Sequence, residues 1–419
     1  MADVHKQRRM GELGFLLSDG RNSTGAGRRV RAVSAAALLL ALISATSSGR
    51  AQAADETAEA RALEQQGKNV EAEAAWRVVL KTHPASAEPY AHLGLLEARQ
   101  ENYKEAVPLY RKALALNPAM SGVGLNLGLA LFKSDQLKEA IQEFTLLKAK
   151  APNSPEVQRF NILIGMAHYG LGDYAAASRF LKQAAAVDTQ NLELRLALAH
   201  SCLWSKQYQC VLDTYHEMLT LNAESAEADM LAGEAEDAMK DYEGAIAQFR
   251  AAVKVDPKEP AVHFGLGYIL WTQREYTEAA TEFQTELAND PNQVQALVYL
   301  GDAQMQLNHP ELASPLLEKA AKLDSKLELA HLDLGIVYGD AGRKDDALRE
   351  LNTAEKLAPS DVNVHWRLGR LYRAMGKRVE AKAEFDKASR LHKATDDALV
   401  DRISGGNGKA AEQTTPQPQ

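Results

Sequence analysis

Cys202 and Cys210 are the two cysteines of this 419-residue chain. One pair cannot build a four-cysteine zinc site or a dense disulfide framework. It can form one bridge, or two thiols packed as small hydrophobes. The eleven histidines are scattered without ligand spacing. Gly122-Val123-Gly124 with Gly128 superficially suggests a phosphate loop. No strand precedes it and it falls in a helical pattern, so it reads as packing glycine. HExxH, P-loop and Gly-x-Ser-x-Gly sequences are missing. No carboxylate pair stands out from the many on solvent faces. The expectation is a non-enzymatic chain with no cofactor and no catalytic or metal site. What remains is recognition chemistry: tryptophan, tyrosine and other large apolar residues at helical spacing, which can anchor a partner.

The elements that carry them must be helices. The composition is 46% hydrophobic, 25% charged and 6% aromatic, with a net charge of -8. That is enough apolar material for a large core, and a basic nucleic-acid surface is disfavoured. Gly94, Gly128, Gly165, Gly233, Gly267, Gly301, Gly335 and Gly369 recur, with Ala199 standing in once. The steps are 34 residues, apart from 37 between Gly128 and Gly165, where the turn Asn153–Val157 absorbs the excess. Twelve residues after each comes a small residue, from Ala106 to Ala381, with Val211 the exception. Four further on comes a bulky one, such as Tyr110, Phe144, Phe249 or Leu351. Proline often closes the unit, as at Pro118 and Pro257.

Each unit therefore holds two amphipathic helices joined by a short polar turn, such as Gly172-Asp173. The small residues lie where the helices cross, and the bulky one fills the gap to the next unit. A single hairpin cannot bury both faces, so the units must stack. Pro108 and Pro315 fall inside second helices, where mild distortion without a break is expected. His263, His331 and His365 share one position of the unit and read as packing residues.

This pattern resembles the tetratricopeptide repeat family, in ten copies at about 53–86, 87–120, 121–154, 158–191, 192–225, 226–259, 260–293, 294–327, 328–361 and 362–395. The resemblance implies an all-α solenoid, a right-handed superhelix with first helices lining a concave groove. It places Phe132, Met166, Tyr169, His200 and Trp204 on the groove face of the earlier repeats. Met230, Glu234, Asp237, Phe264, Tyr268 and Trp271 follow in the later ones, and Arg370 and Arg373 in the last. The implied function is a scaffold binding a protein or peptide partner, with no nucleic acid. A subunit for envelope polysaccharide assembly or export, binding glycan or machinery components, is the alternative.

Residues 1–53 differ. Eight basic residues against three acidic give net +5, leaving -13 for the rest. Arg28-Arg29-Val30-Arg31 precedes the apolar run Ala32 to Ala45, and Ala51-Gln52-Ala53 follows. This is the layout of a cleaved secretory signal peptide. The apolar run is shorter than the roughly 20 residues a membrane helix needs. The protein is thus expected to be exported, periplasmic or secreted, with an uncleaved membrane-anchored form as the alternative; either is an oxidising setting that allows Cys202 and Cys210 to bridge. At the other end, 396–403 reads as a capping helix and 404–419 as a disordered tail.

Overall fold

The computed structural model describes residues 56–221 and 224–408, with 397–408 as backbone alone. The candidate export segment 1–53 and residues 409–419 lie outside the described residues. Among the described residues every regular element is a helix, and the helices come in pairs. Two compact units divide between Ala223 and Glu224.

The first unit holds α1 (56–65) with α2 (Asn69–Thr82), and α3 (Ala87–Arg99) with α4 (Tyr103–Leu116). There follow α5 (Val123–Lys133) with α6 (Leu137–Lys150), α7 (Val157–Gly170) with α8 (Tyr174–Ala185), and α9 (Leu192–Trp204) with α10 (Tyr208–Thr220). The second unit holds α11 (Ala226–Ala238) with α12 (Tyr242–Val255), and α13 (Val262–Thr272) with α14 (Tyr276–Asn289). It continues with α15 (Val294–Gln306) and α16 (Pro310–Leu323), α17 (Glu328–Asp340) and α18 (Lys344–Leu357), and α19 (Val362–Ala374) and α20 (Arg378–Gly408). Within each unit, every second helix packs on its own first helix and on the first helix of the next pair. The fold is an all-α solenoid.

The turn inside each pair has one solution, repeated throughout. Gly67, Glu101, Asp135, Gly172, Lys206, Lys240, Arg274, Asn308, Gly342 and Gly376 occupy the same position, with φ between 60° and 78°. The next residue's N–H reaches back five residues to close a Schellman cap. Gln136 donates to the Leu131 carbonyl at 2.8 Å, and Asp241 to that of Glu236 at 2.9 Å. Two of the second helices then start on a side-chain cap. The Asp173 carboxylate accepts from Ala176 N–H and the Asp241 carboxylate from Gly244 N–H.

The repeating glycine is a seat for the bulky residue of its own second helix. A Cβ on Gly128 would lie 2.4 Å from the Phe144 ring. Phe249 also reaches the next pair: it is wedged between Gly233 and Gly265, whose Cβ atoms would come within 2.9 and 2.3 Å of it. Phe144, Phe249 and Phe283 are fully buried, each worth about 2 kcal/mol of transfer free energy. Gly124 of α5 packs on Glu143 and Leu147 of α6, as a helix-crossing glycine does. Pro108 and Pro315 sit inside unbroken 14-residue helices.

The C-terminus departs from the sequence expectation. Residues 396–403 are not a separate capping helix, and 404–408 are not an irregular tail. Arg378–Gly408 is one 31-residue helix. Asp386 to Asp396 contains no proline or glycine to stop it, so the second helix of the tenth pair runs on.

Candidate functional site

In the first unit the expected face is partly closed. Met166 and His200 are buried, a correction to their expected place in an open groove. Tyr169 and Trp204, one turn later at the helix ends, stay half-buried, as does Phe132. The indole of Trp204 packs 5.5 Å from Tyr169 and 4.7 Å from Tyr174, centroid to centroid. It also lies 5.6 Å from the His200 ring. Tyr174 starts a second helix, so a search confined to first helices misses it. In the same pair Cys202 and Cys210 form a disulfide across the turn, with Cα atoms 5.8 Å apart.

The second unit offers a broader face. Phe264 is buried among the rings of Tyr268, Phe283 and Tyr299 at 5.8–6.2 Å. Met230, one turn before Glu234, is buried as well. Neither is available to a partner, contrary to the sequence expectation. Tyr268 and Trp271 are half-buried. Both meet Tyr299 edge-on, at 5.3 and 5.0 Å, and the Trp271 indole N–H donates to Asp302 at 2.6 Å. Tyr299 and Asp302 come from the next first helix and were not singled out in the sequence. Tyr299 lies two residues before the repeating Gly301, where about 160° of helical rotation from the glycine turns it to the same face.

Carboxylates line the same face. Glu234 is part-exposed, yet the protein around it pushes its carboxyl up to about 7 by desolvation. Burial raises Asp237 too. Asp333 is 4% exposed. Burial, then the charges of Asp302 and Glu328, hold its carboxyl well above the usual range, while Arg367 pulls it down. Its Oδ2 has no hydrogen-bond partner. Tyr299 is pushed up to about 12 by burial and by the charges of Tyr268, Asp302 and Asp333. Beyond Asp333 the sign reverses. Arg370 and Arg373 are exposed, as expected. The guanidiniums of Arg367 and Arg370 lie 5.2 and 4.9 Å from the Trp366 ring.

The three repeat histidines are structural clasps. His263 Nδ1 meets Glu282 at 2.6 Å and its Nε2 meets the Pro257 carbonyl at 3.1 Å. His331 does the same with Glu350 and the Ser325 carbonyl, and His365 with Glu384 and the Pro359 carbonyl. Glu355, His365 and Glu384 could together ligate an ion. However, the clasp recurs without a third carboxylate in the other two pairs, and Lys387 already sits 2.7 Å from Glu355.

Family models described as tetratricopeptide repeat match residues 57–121, 230–294, 270–328, 298–361 and 332–398, over half of the chain. Others match 97–160 and 158–191. The chain belongs to the tetratricopeptide repeat family. Among curated relatives, anaphase-promoting complex subunit 3 of Schizosaccharomyces pombe is 26% identical, covering 45% of this chain and 28% of that protein. Superkiller complex protein 3 of Mus musculus is 24% identical over 72% of this chain and 22% of its own length. BBSome complex member BBS4 of Bos taurus is 24% identical over 71% and 56%. The chain thus spans between about a fifth and just over half of these relatives. Solved structures similar to this repeat protein include YrrB, titled a TPR protein with an unusual peptide-binding site, at 22% identity, TM-score 0.38, and 45% of this chain against 97% of that one. MamA from Desulfovibrio magneticus RS-1 is another, at 20% identity, TM-score 0.39, 42% and 98%.

Proposed function

We propose that this protein is a non-catalytic scaffold that holds a segment of a partner protein against the first-helix face of its second unit. The observation that carries the reading is the half-buried cluster of Tyr268, Trp271 and Tyr299 on adjacent first helices. Large rings at a surface, already ordered by their neighbours, bind a partner at little conformational cost. Three relatives bear the names of complex members, which supports an assembly role. Tyr299 closes edge-on against both other rings, which lie nearly parallel to each other at 6.3 Å. That suits apolar side chains of a peptide better than the flat single platforms a glycan would need.

The scaffold acts outside the cytoplasm in this reading. Residues 1–53 serve as an export signal, and the described helices include none long and apolar enough to cross a membrane. Mass spectrometry of the mature N-terminus tests the export step, with Ala54 expected first. The docking face is tested by Tyr268→Ala with Trp271→Ala: partner capture should fall while the helical circular dichroism holds. Undiminished capture, or quenching of groove tryptophans by oligosaccharide and not by peptide, contradicts it.

A further inference from the structure

Glu234 and Asp237 lie on the first helix of the sixth pair, Asp302 on that of the eighth and Asp333 on that of the ninth. Among the described residues no lysine or arginine comes within ion-pairing distance of any of the four, although the chain forms such pairs elsewhere, such as Lys387 with Glu355. Tyr299 and Asp333 occupy the same position of consecutive repeats, 34 residues apart. Of Asp302 and Asp333, Asp302 is the half-exposed one. Asp333 is the buried one, 4% exposed and with Oδ2 unpartnered; it feels the charge of Asp302, and Tyr299 feels the charges of both. A buried carboxylate without a partner costs stability, and a cation drawn against Asp302 and Asp333 removes that cost. The neighbouring ring faces and edges suit the aliphatic stem of a long basic side chain.

We infer that the second unit takes a lysine- or arginine-bearing segment of its partner, with one basic side chain seated at Asp302 and Asp333 beside Tyr299 and Trp271. This deepens the docking reading above and rests on it. Arg367 is the internal competitor. It feels the Asp333 charge, and its buried Nε has no hydrogen-bond partner. Removing it leaves the pocket more negative.

The test is selection of a random dodecapeptide library displayed on phage against the full chain, followed by affinity measurement of the recovered peptides. The inference expects enrichment of lysine and arginine. D302N with D333N should weaken the recovered peptides at least tenfold, and R367Q should tighten them. E311Q with D345N, the same charge change at exposed positions, should alter them less than twofold. Asp333→Asn alone should leave the melting temperature unchanged or higher, so loss of binding cannot be blamed on unfolding. Recovered peptides without basic residues, lost in Tyr268→Ala with Trp271→Ala, keep the docking face but overturn the cation. Equal losses in both charge-neutral doubles, or no recovered peptides, also overturn it. So does recovery only after residues 1–53 are removed, which assigns the face to the chain's own basic segment.

Discussion

The Trp271 indole N–H donates to the Asp302 carboxylate at 2.6 Å, joining the first helices of two consecutive repeats. The bond fixes the edge of the indole while leaving Trp271 half-buried. Trp271→Phe keeps a ring against Tyr299 and deletes the donor, which should cost about 1–2 kcal/mol for a bond to a charged acceptor near the surface. Thermal melts followed by circular dichroism check the size of the loss. Intrinsic fluorescence of Asp302→Ala should shift to longer wavelength as the freed indole N–H turns to water.

Each His–Glu clasp ties the loop before a first helix to the second helix of the same pair. His365 is fully buried and contacts both Glu384 and the Pro359 carbonyl. His365→Phe fills the space but strands the carbonyl and the carboxylate, and should cost about 2–3 kcal/mol. His309→Phe, at an exposed site, should cost almost nothing. Comparing the two melts separates the clasp from a general effect of losing a histidine.

Asp333 sets a pH dependence whose sign follows from burial. Its folded carboxyl holds a proton more tightly than the unfolded chain does. The folded state is therefore favoured at low pH and loses that advantage as pH rises through the ordinary carboxylate range and above. Asp333→Asn should raise the melting temperature at pH 8, with the gain shrinking toward pH 4. Glu234→Gln should behave likewise, with the gain building up between the ordinary carboxylate range and about pH 7 and levelling off above it. A gain that grows on acidification would refute the burial argument.

Six of the intra-pair turns place a residue other than glycine in the left-handed region: Glu101, Asp135, Lys206, Lys240, Arg274 and Asn308. An L side chain there costs roughly 1 kcal/mol that glycine does not pay. Lys240→Gly and Arg274→Gly should each stabilise by about that amount, read by urea titration. Gly172→Ala should destabilise, even though no atom lies within 4 Å of its added Cβ.

The repeat register was legible because sterics enforce it: a Cβ on Gly128 or Gly335 would strike Phe144 or Leu351 at 2.4–2.5 Å. The shared position of His263, His331 and His365 showed a packing role, but not its partners. Those are glutamates 19 residues on, a distance that spans a helix and a turn. Surface exposure was legible at Tyr268, Trp271, Glu234 and the terminal arginines. It was misjudged at Met166, His200, Met230 and Phe264, because helical rotation gives a direction while enclosure depends on neighbouring rings and helices. Tyr174, Tyr299 and Asp333 escaped notice for the opposite reason, since their surroundings come from adjoining helices. The long α20 was missed because the repeat length was taken to end it.

Site-specific photocrosslinking addresses the docking face most directly. A benzoylphenylalanine placed at Tyr268 of the full chain, irradiated in cells, should yield an adduct with one partner protein through a segment bearing lysine or arginine. The same group at Leu323, exposed on a second helix, should yield none. Adducts at Leu323 equal to those at Tyr268, or none from Tyr268, would contradict the account.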